Sequence, residues 1–201
     1  MYQCQTVADT RGFFAPGIVT TFFDITDGLA GTVMMTEIGT QRSRKLQGQF
    51  ALNRLVSLID SPSECDQVKD SLRPLYYGGS VILSELGRGG AFADGAGGYS
   101  LVHTILPPNS PSCAMGTAEP LEGVFSAGSY HKGGCHVLMG DGAVVFMTDS
   151  IESGSASEPS PRGNLGSGES LWSPYGLWGA LGTRAGNEMS YQQLKQYHPR
   201  F

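Results

Sequence analysis

No stretch of this 201-residue chain approaches the run of ~20 apolar residues that a membrane-spanning helix needs. Nor does a charged start lead into an apolar segment, so the chain as it stands carries no export signal of its own. Charge is scarce: only 15% of residues are Asp, Glu, Lys or Arg, and the formal balance is −5. Arg42, Arg44 and Lys45 form the one basic grouping, which is too small to track a phosphate backbone and reads as a solvated loop. Nucleic acid is therefore not an expected partner. Cysteine is limited to Cys4, Cys65, Cys113 and Cys135, which show no metal-ligand spacing and permit three full pairings. Cys113 and Cys135 lie in segments able to neighbour each other, and a disulfide between them is expected in an oxidising compartment. Buried free thiols are the alternative.

What the chain does have is glycine (29) and proline (11), with 40% hydrophobic residues. That mix disfavours a helical bundle and favours short strands joined by ordered turns around a packed core. The expected fold class is α+β: a single domain spanning residues 1–201, dominated by an antiparallel sheet with a central hairpin, few short helices and long Gly/Pro-rich loops. Residues 1–11 are polar and expected to fray. An extended segment is expected over Gly12–Thr21, a turn or a single helical turn over Asp24–Gly28 and a strand over Thr32–Glu37. Ser61-Pro62-Ser63-Glu64 is the best helix start, with Ser61 as cap, Pro62 at the first position and Glu64 completing a capping box. The helix should run to about Leu72 with Cys65, Val68 and Leu72 docked on the core. The six glycines of Gly87–Gly98 predict a loop, and Leu101–Leu106 a strand stopped by Pro107-Pro108. Residues 153–170 read as a mobile Ser/Gly/Pro-rich excursion. Trp172 to Trp178 should return to the body, and Met189–Tyr197 is a polar helix candidate.

The clearest local signal is Cys135–Thr148, two apolar, β-rich runs around Asp141-Gly142. Asp-Gly in that setting predicts a two-residue type I′ turn. It would set Met139 against Val144, Val137 against Phe146, Leu138 against Val145 and His136 against Met147. Both faces are then apolar, which predicts a central pair buried on two sides.

Nine residues separate His131 from Asp141, and Gly142 follows. This spacing resembles the motif of a prepilin-processing-associated family abundant in planctomycetes, whose domain is called domain of unknown function 1559 and is also labelled a solute-binding protein family. Further blocks resemble it in the same order. They are Phe23–Glu37, Ala93-Asp94-Gly95 with Thr104–Cys113, and Ser173–Arg184. Leu29-Ala30-Gly31 replaces a more usual polar trio, and the N-terminal cleavage signal with its long apolar helix is absent. The resemblance therefore implies the globular head of a pilin-like protein, extracellular or at the cell surface, in a homo-oligomer or pilin-like assembly.

No catalytic constellation stands out, and neither an enzyme nor a metal or cofactor site is expected. His131, Asp141 and Gly142 read as architectural, because the turn alone explains Asp-Gly. Cys135 and His136 point to opposite faces of a strand, so they cannot form a thiolate–imidazole pair. Asp24, Asp27 and Asp94 read as turn residues rather than calcium ligands. Gly87-Arg88-Gly89-Gly90 resembles a phosphate loop, but Phe92 stands where its last glycine should be. Two functions follow as expectations: a non-enzymatic structural or interaction protein, or an extracellular module binding a solute or glycan through loops 87–100 and 153–175. Exposed Tyr and Trp would favour the second.

Overall fold

The computed structural model describes residues 11–14, 19–40, 43–91, 93–115, 122–160 and 173–187. Two antiparallel sheets carry the strands, and the helices are short. The larger sheet has the order β1 (Val33–Thr36), β4 (Gly134–Met139), β5 (Val144–Thr148), and the smaller pairs β2 (Cys113–Ala114) with β3 (Gly123–Val124). Two α-helical turns, α1 (Gly97–Ser100) and α2 (Gly176–Leu181), join several 3-10 segments. The class is α+β with sheets dominant, as expected. Among the described residues no helix is long and apolar enough to cross a membrane.

The Asp-Gly hairpin forms, but one residue out of the expected register. Leu138 faces Val144, Val137 faces Val145 and His136 faces Phe146. The cause is the loop, which has three residues rather than two. Met139 N–H bonds to Ala143 O at 2.8 Å, so Gly140, Asp141 and Gly142 lie between them. Within that loop Gly142 alone has positive φ, at 90°. A type I turn closed by one left-handed glycine needs one such residue, whereas type I′ needs two. A shift of one residue exchanges the faces of a strand, and the pair is not buried on both sides. β4 alternates, with Cys135, Val137 and Met139 inside and His136 and Leu138 half-buried, while β5 is a largely exposed edge strand.

The segment beginning at Pro62 is also different in kind. It is a 3-10 helix over Pro62–Val68 rather than an α-helix reaching Leu72. At three residues per turn, positions three apart eclipse one another. Pro62, Cys65 and Val68 accordingly share the buried side, while Leu72 is 89% exposed. The capping box does not form, because Glu64 turns away to accept a 2.7 Å hydrogen bond from Ser57 Oγ.

Docking that stripe on β2 sets the cysteine chemistry. The disulfide joins Cys65 to Cys113 across 48 residues, and Cys135 is a buried free thiol. The expected Cys113–Cys135 bridge fails because the two belong to different clusters. Cys65 and Cys113 pack with Leu46, Leu58, Val68 and Tyr77, whereas Cys135 packs with Val33, Val137, Met139 and Trp178. Cys4 lies outside the described residues.

Residues 101–106 form no strand; the chain bends over 104–106, where the Trp178 indole N–H bonds to Leu106 O at 2.9 Å. The start of the Ser/Gly/Pro-rich segment is hydrogen-bonded to the body of the domain. Ser155 N–H bonds to Pro174 O, Ser63 N–H to Ala156 O, and Ser160 N–H to Ile59 O. Residues 161–170, Trp172 and the expected helix at 189–197 lie outside the described residues, as do residues 1–10.

Candidate functional site

Beyond Thr36 the β1–β4 ladder continues for one more step and then changes hands. Glu37 N–H bonds to His136 O at 3.1 Å, but the Glu37 carbonyl accepts from Gly128 N–H instead of returning the bond. The Glu37 carboxylate takes that place: its Oε2 accepts His136 N–H at 2.8 Å. A ladder bond made by a side chain in place of the backbone anchors the carboxylate at the sheet end.

Two imidazoles face it. His136 Nδ1 lies 3.3 Å from Glu37 Oε2, and His131 Nε2 lies 3.4 Å from Oε1. The rings meet edge to face with centroids 4.8 Å apart, and Phe146 on β5 packs against His136 at 5.2 Å. Gly134 lets Phe146 take that position, since a Cβ there would sit 2.9 Å from the ring. Burial would raise the Glu37 carboxyl, but hydrogen bonds from His136 N–H, the Ser129 side chain and His136, with the charge of His131, outweigh it. Its pKa therefore sits below the usual value. One ligand atom from each of Glu37, His131 and His136 falls within 4.8 Å of the others, so these residues could hold a metal ion.

The residues singled out by the family spacing are divided between two places. Asp141 and Gly142 close the hairpin, where Asp141 Oδ1 accepts Ala143 N–H at 2.9 Å. His131 precedes the far end of β4, the full length of the strand away from Asp141, with its side chain 55% exposed. The two are not brought together. Glu37 was missed in the sequence because it stands 99 residues from His136, a separation at which spacing carries no signal.

The other acids are committed to the chain itself. Asp24 Oδ2 accepts from Thr21, and Asp94 Oδ1 from Ala96 N–H. Asp27 accepts from Thr183 Oγ1 and from the N–H groups of Gly186 and Asn187. Donors aimed at Asp27 oppose a cation there. Cys135 is no nucleophile: burial first, then the charges of Glu37 and Asp149, pushes its thiol up to about 12. Arg88, in the segment resembling a phosphate loop, is turned inward at 1% exposure and donates to the carbonyls of Gly97, Gly98 and Leu101.

On the outer side of the large sheet, Met35 (53% exposed), Val144 (65%) and Phe146 (42%) form an apolar patch beside His136. The outer edge of β5 pairs with no strand among the described residues.

The family model for a protein of unknown function (DUF1559) matches residues 1–154. The chain belongs to this family. No curated protein matches it, and no solved structure does. The DUF1559 match covers β1, the disulfide, the hairpin and all three residues of the Glu37–His131–His136 cluster.

Proposed function

We propose that this DUF1559 chain is an exported, non-enzymatic head of the prepilin-like type, which works by presenting a surface for assembly or interaction. The observation that carries the reading is the exposed outer face of the three-stranded sheet, whose β5 edge pairs with no strand among the described residues. Monomeric proteins normally blunt such an edge with charge, proline or a covering segment. Here Val144, Val145 and Phe146 are all exposed apolar residues on the edge strand, a feature that goes with strand or face pairing.

The Cys65–Cys113 disulfide adds support for export, because structural disulfides persist mainly in oxidising compartments. Support for the solute- or glycan-binding alternative is thinner. Tyr99 and Tyr175 of the loops expected to form that site are 8% and 4% exposed, so neither offers a stacking platform; Trp172 of the same loops lies outside the described residues.

The test is fractionation of the source cells with non-reducing peptide mapping, followed by sedimentation of the purified chain. Recovery from the surface or medium with Cys65 and Cys113 joined is expected, as is self-association weakened by Val144→Lys with Phe146→Lys. Cytoplasmic recovery with all thiols reduced would overturn export. A chain that stays monomeric at high concentration, with its native partners recovered only as small molecules, would overturn the assembly role.

A further inference from the structure

We infer that Glu37, His131 and His136 form a binding site for one divalent transition-metal ion of the zinc class, beside the proposed assembly surface and sharing Phe146 with it. The donor set argues for the class of ion. Two imidazole nitrogens and one carboxylate suit zinc, copper, nickel or cobalt, whereas magnesium and calcium take oxygen ligands.

The geometry argues for the site. Ligands held about 2.0–2.2 Å from a tetrahedral ion lie about 3.3–3.6 Å from one another. The contacts from Glu37 to the two histidines are already 3.3 and 3.4 Å, and the widest separation among the three ligand atoms is within 4.8 Å. The remaining closure requires only side-chain rotation, which the partial exposure of all three permits, at 37% for Glu37, 55% for His131 and 43% for His136.

The support around the ligands is that of a held site. Metal ligands are normally oriented by outer hydrogen bonds, and Glu37 has two such bonds, from His136 N–H and from the Ser129 side chain. Phe146 fixes the His136 ring from the other side. Three protein ligands on an open face leave a coordination position for water or an outside donor. The ion would tie the end of β1 to the loop before β4 and to β4 itself, residues 94 to 99 apart in sequence.

The experiment uses the untagged, metal-stripped chain, titrated with zinc chloride by calorimetry and equilibrium dialysis at neutral pH. One zinc ion per chain is expected. Calcium should not displace it, and zinc should raise the melting temperature by several degrees. X-ray absorption should give nitrogen and oxygen neighbours at about 2.0–2.1 Å with the outer scattering of two imidazoles. His131→Ala, His136→Gln and Glu37→Gln should each weaken binding by at least about tenfold, while His198→Ala leaves it unchanged. Circular dichroism of each metal-free variant guards against misfolding, and His131→Ala, on an exposed loop, serves if the strand variant fails to fold. The site is overturned if stoichiometric zinc does not bind, if binding survives in His131→Ala and Glu37→Gln, if His198→Ala alone abolishes it, or if absorption shows no imidazole.

Discussion

Gly142, Asp141 and His131 carry separate burdens, and single substitutions should part them. Gly142 has φ of 90°, a conformation that costs a side-chain-bearing residue roughly 1–2 kcal/mol. Gly142→Val should therefore lower the melting temperature by about 2–8 °C, at 2–4 °C per kcal/mol for a chain this long. Asp141→Ala loses one exposed hydrogen bond to Ala143 N–H and should cost less. His131→Ala should stay within about 0.5 kcal/mol of the parent in metal-free protein, as surface substitutions usually do. Its partner Glu37 keeps contact with solvent and with His136 N–H, so nothing buried is left unpaired. Thermal melts in chelator order the three. A His131→Ala loss as large as that of Gly142→Val would mean the ring supports the hairpin after all.

At the scale of elements, the disulfide should be the largest single local contributor to stability. It closes a span of 48 residues, for which the chain-entropy account gives about 4 kcal/mol. Cys65→Ser or Cys113→Ser should lower the denaturation midpoint by a corresponding amount, and reduction of the parent should do the same. Cys135 should resist alkylation in the native protein at pH 8, because its thiol is buried and shifted up to about 12. Rapid labelling of Cys135 without denaturant would contradict its packing against Val33, Val137, Met139 and Trp178. The elements also show which signals a sequence carries. Asp141-Gly142 marks the hairpin because glycine must occupy the turn, yet one extra loop residue, Gly140, moves the register, and the sheet order leaves β5 at the edge. Pro62 marks a helix start. The spacing of Pro62, Cys65 and Val68 fits both 3-10 and α winding up to its last turn, and Glu64 finds Ser57 instead of its expected cap partner. The disulfide and the Glu37 cluster were not legible because both depend on which distant segments dock, and neither spacing nor periodicity records that.

For the molecule as a whole, acid sensitivity should begin at His103, well before the carboxylates titrate. The residue is half-buried, with its imidazole stacked on Phe125 at 5.8 Å. Its Nδ1 accepts the Phe125 N–H at 3.3 Å, so that nitrogen must be unprotonated in the fold. Burial first, then the charge of Arg88, lowers its pKa to about 4 from an ordinary 6.5. The unfolded chain therefore takes up a proton in a range where the folded chain does not. Stability is present in full above pH 6.5 and is lost progressively between 6.5 and about 4, below which both states are protonated. The loss has an upper bound of about 3.5 kcal/mol, at 1.36 kcal/mol per pKa unit, and water on the open side of the residue reduces it. Glu37 works in a lower window. Its pKa is depressed from 4.5, so its contribution is present above that value and disappears only as pH falls through its own lower one. Chemical denaturation of metal-free protein at several pH values between 7 and 4 resolves the two. The parent should weaken steadily across the upper window, and His103→Asn, which keeps an acceptor for Phe125 N–H but cannot titrate, should be flatter there. Equal slopes in parent and variant would remove His103 as the origin of the sensitivity.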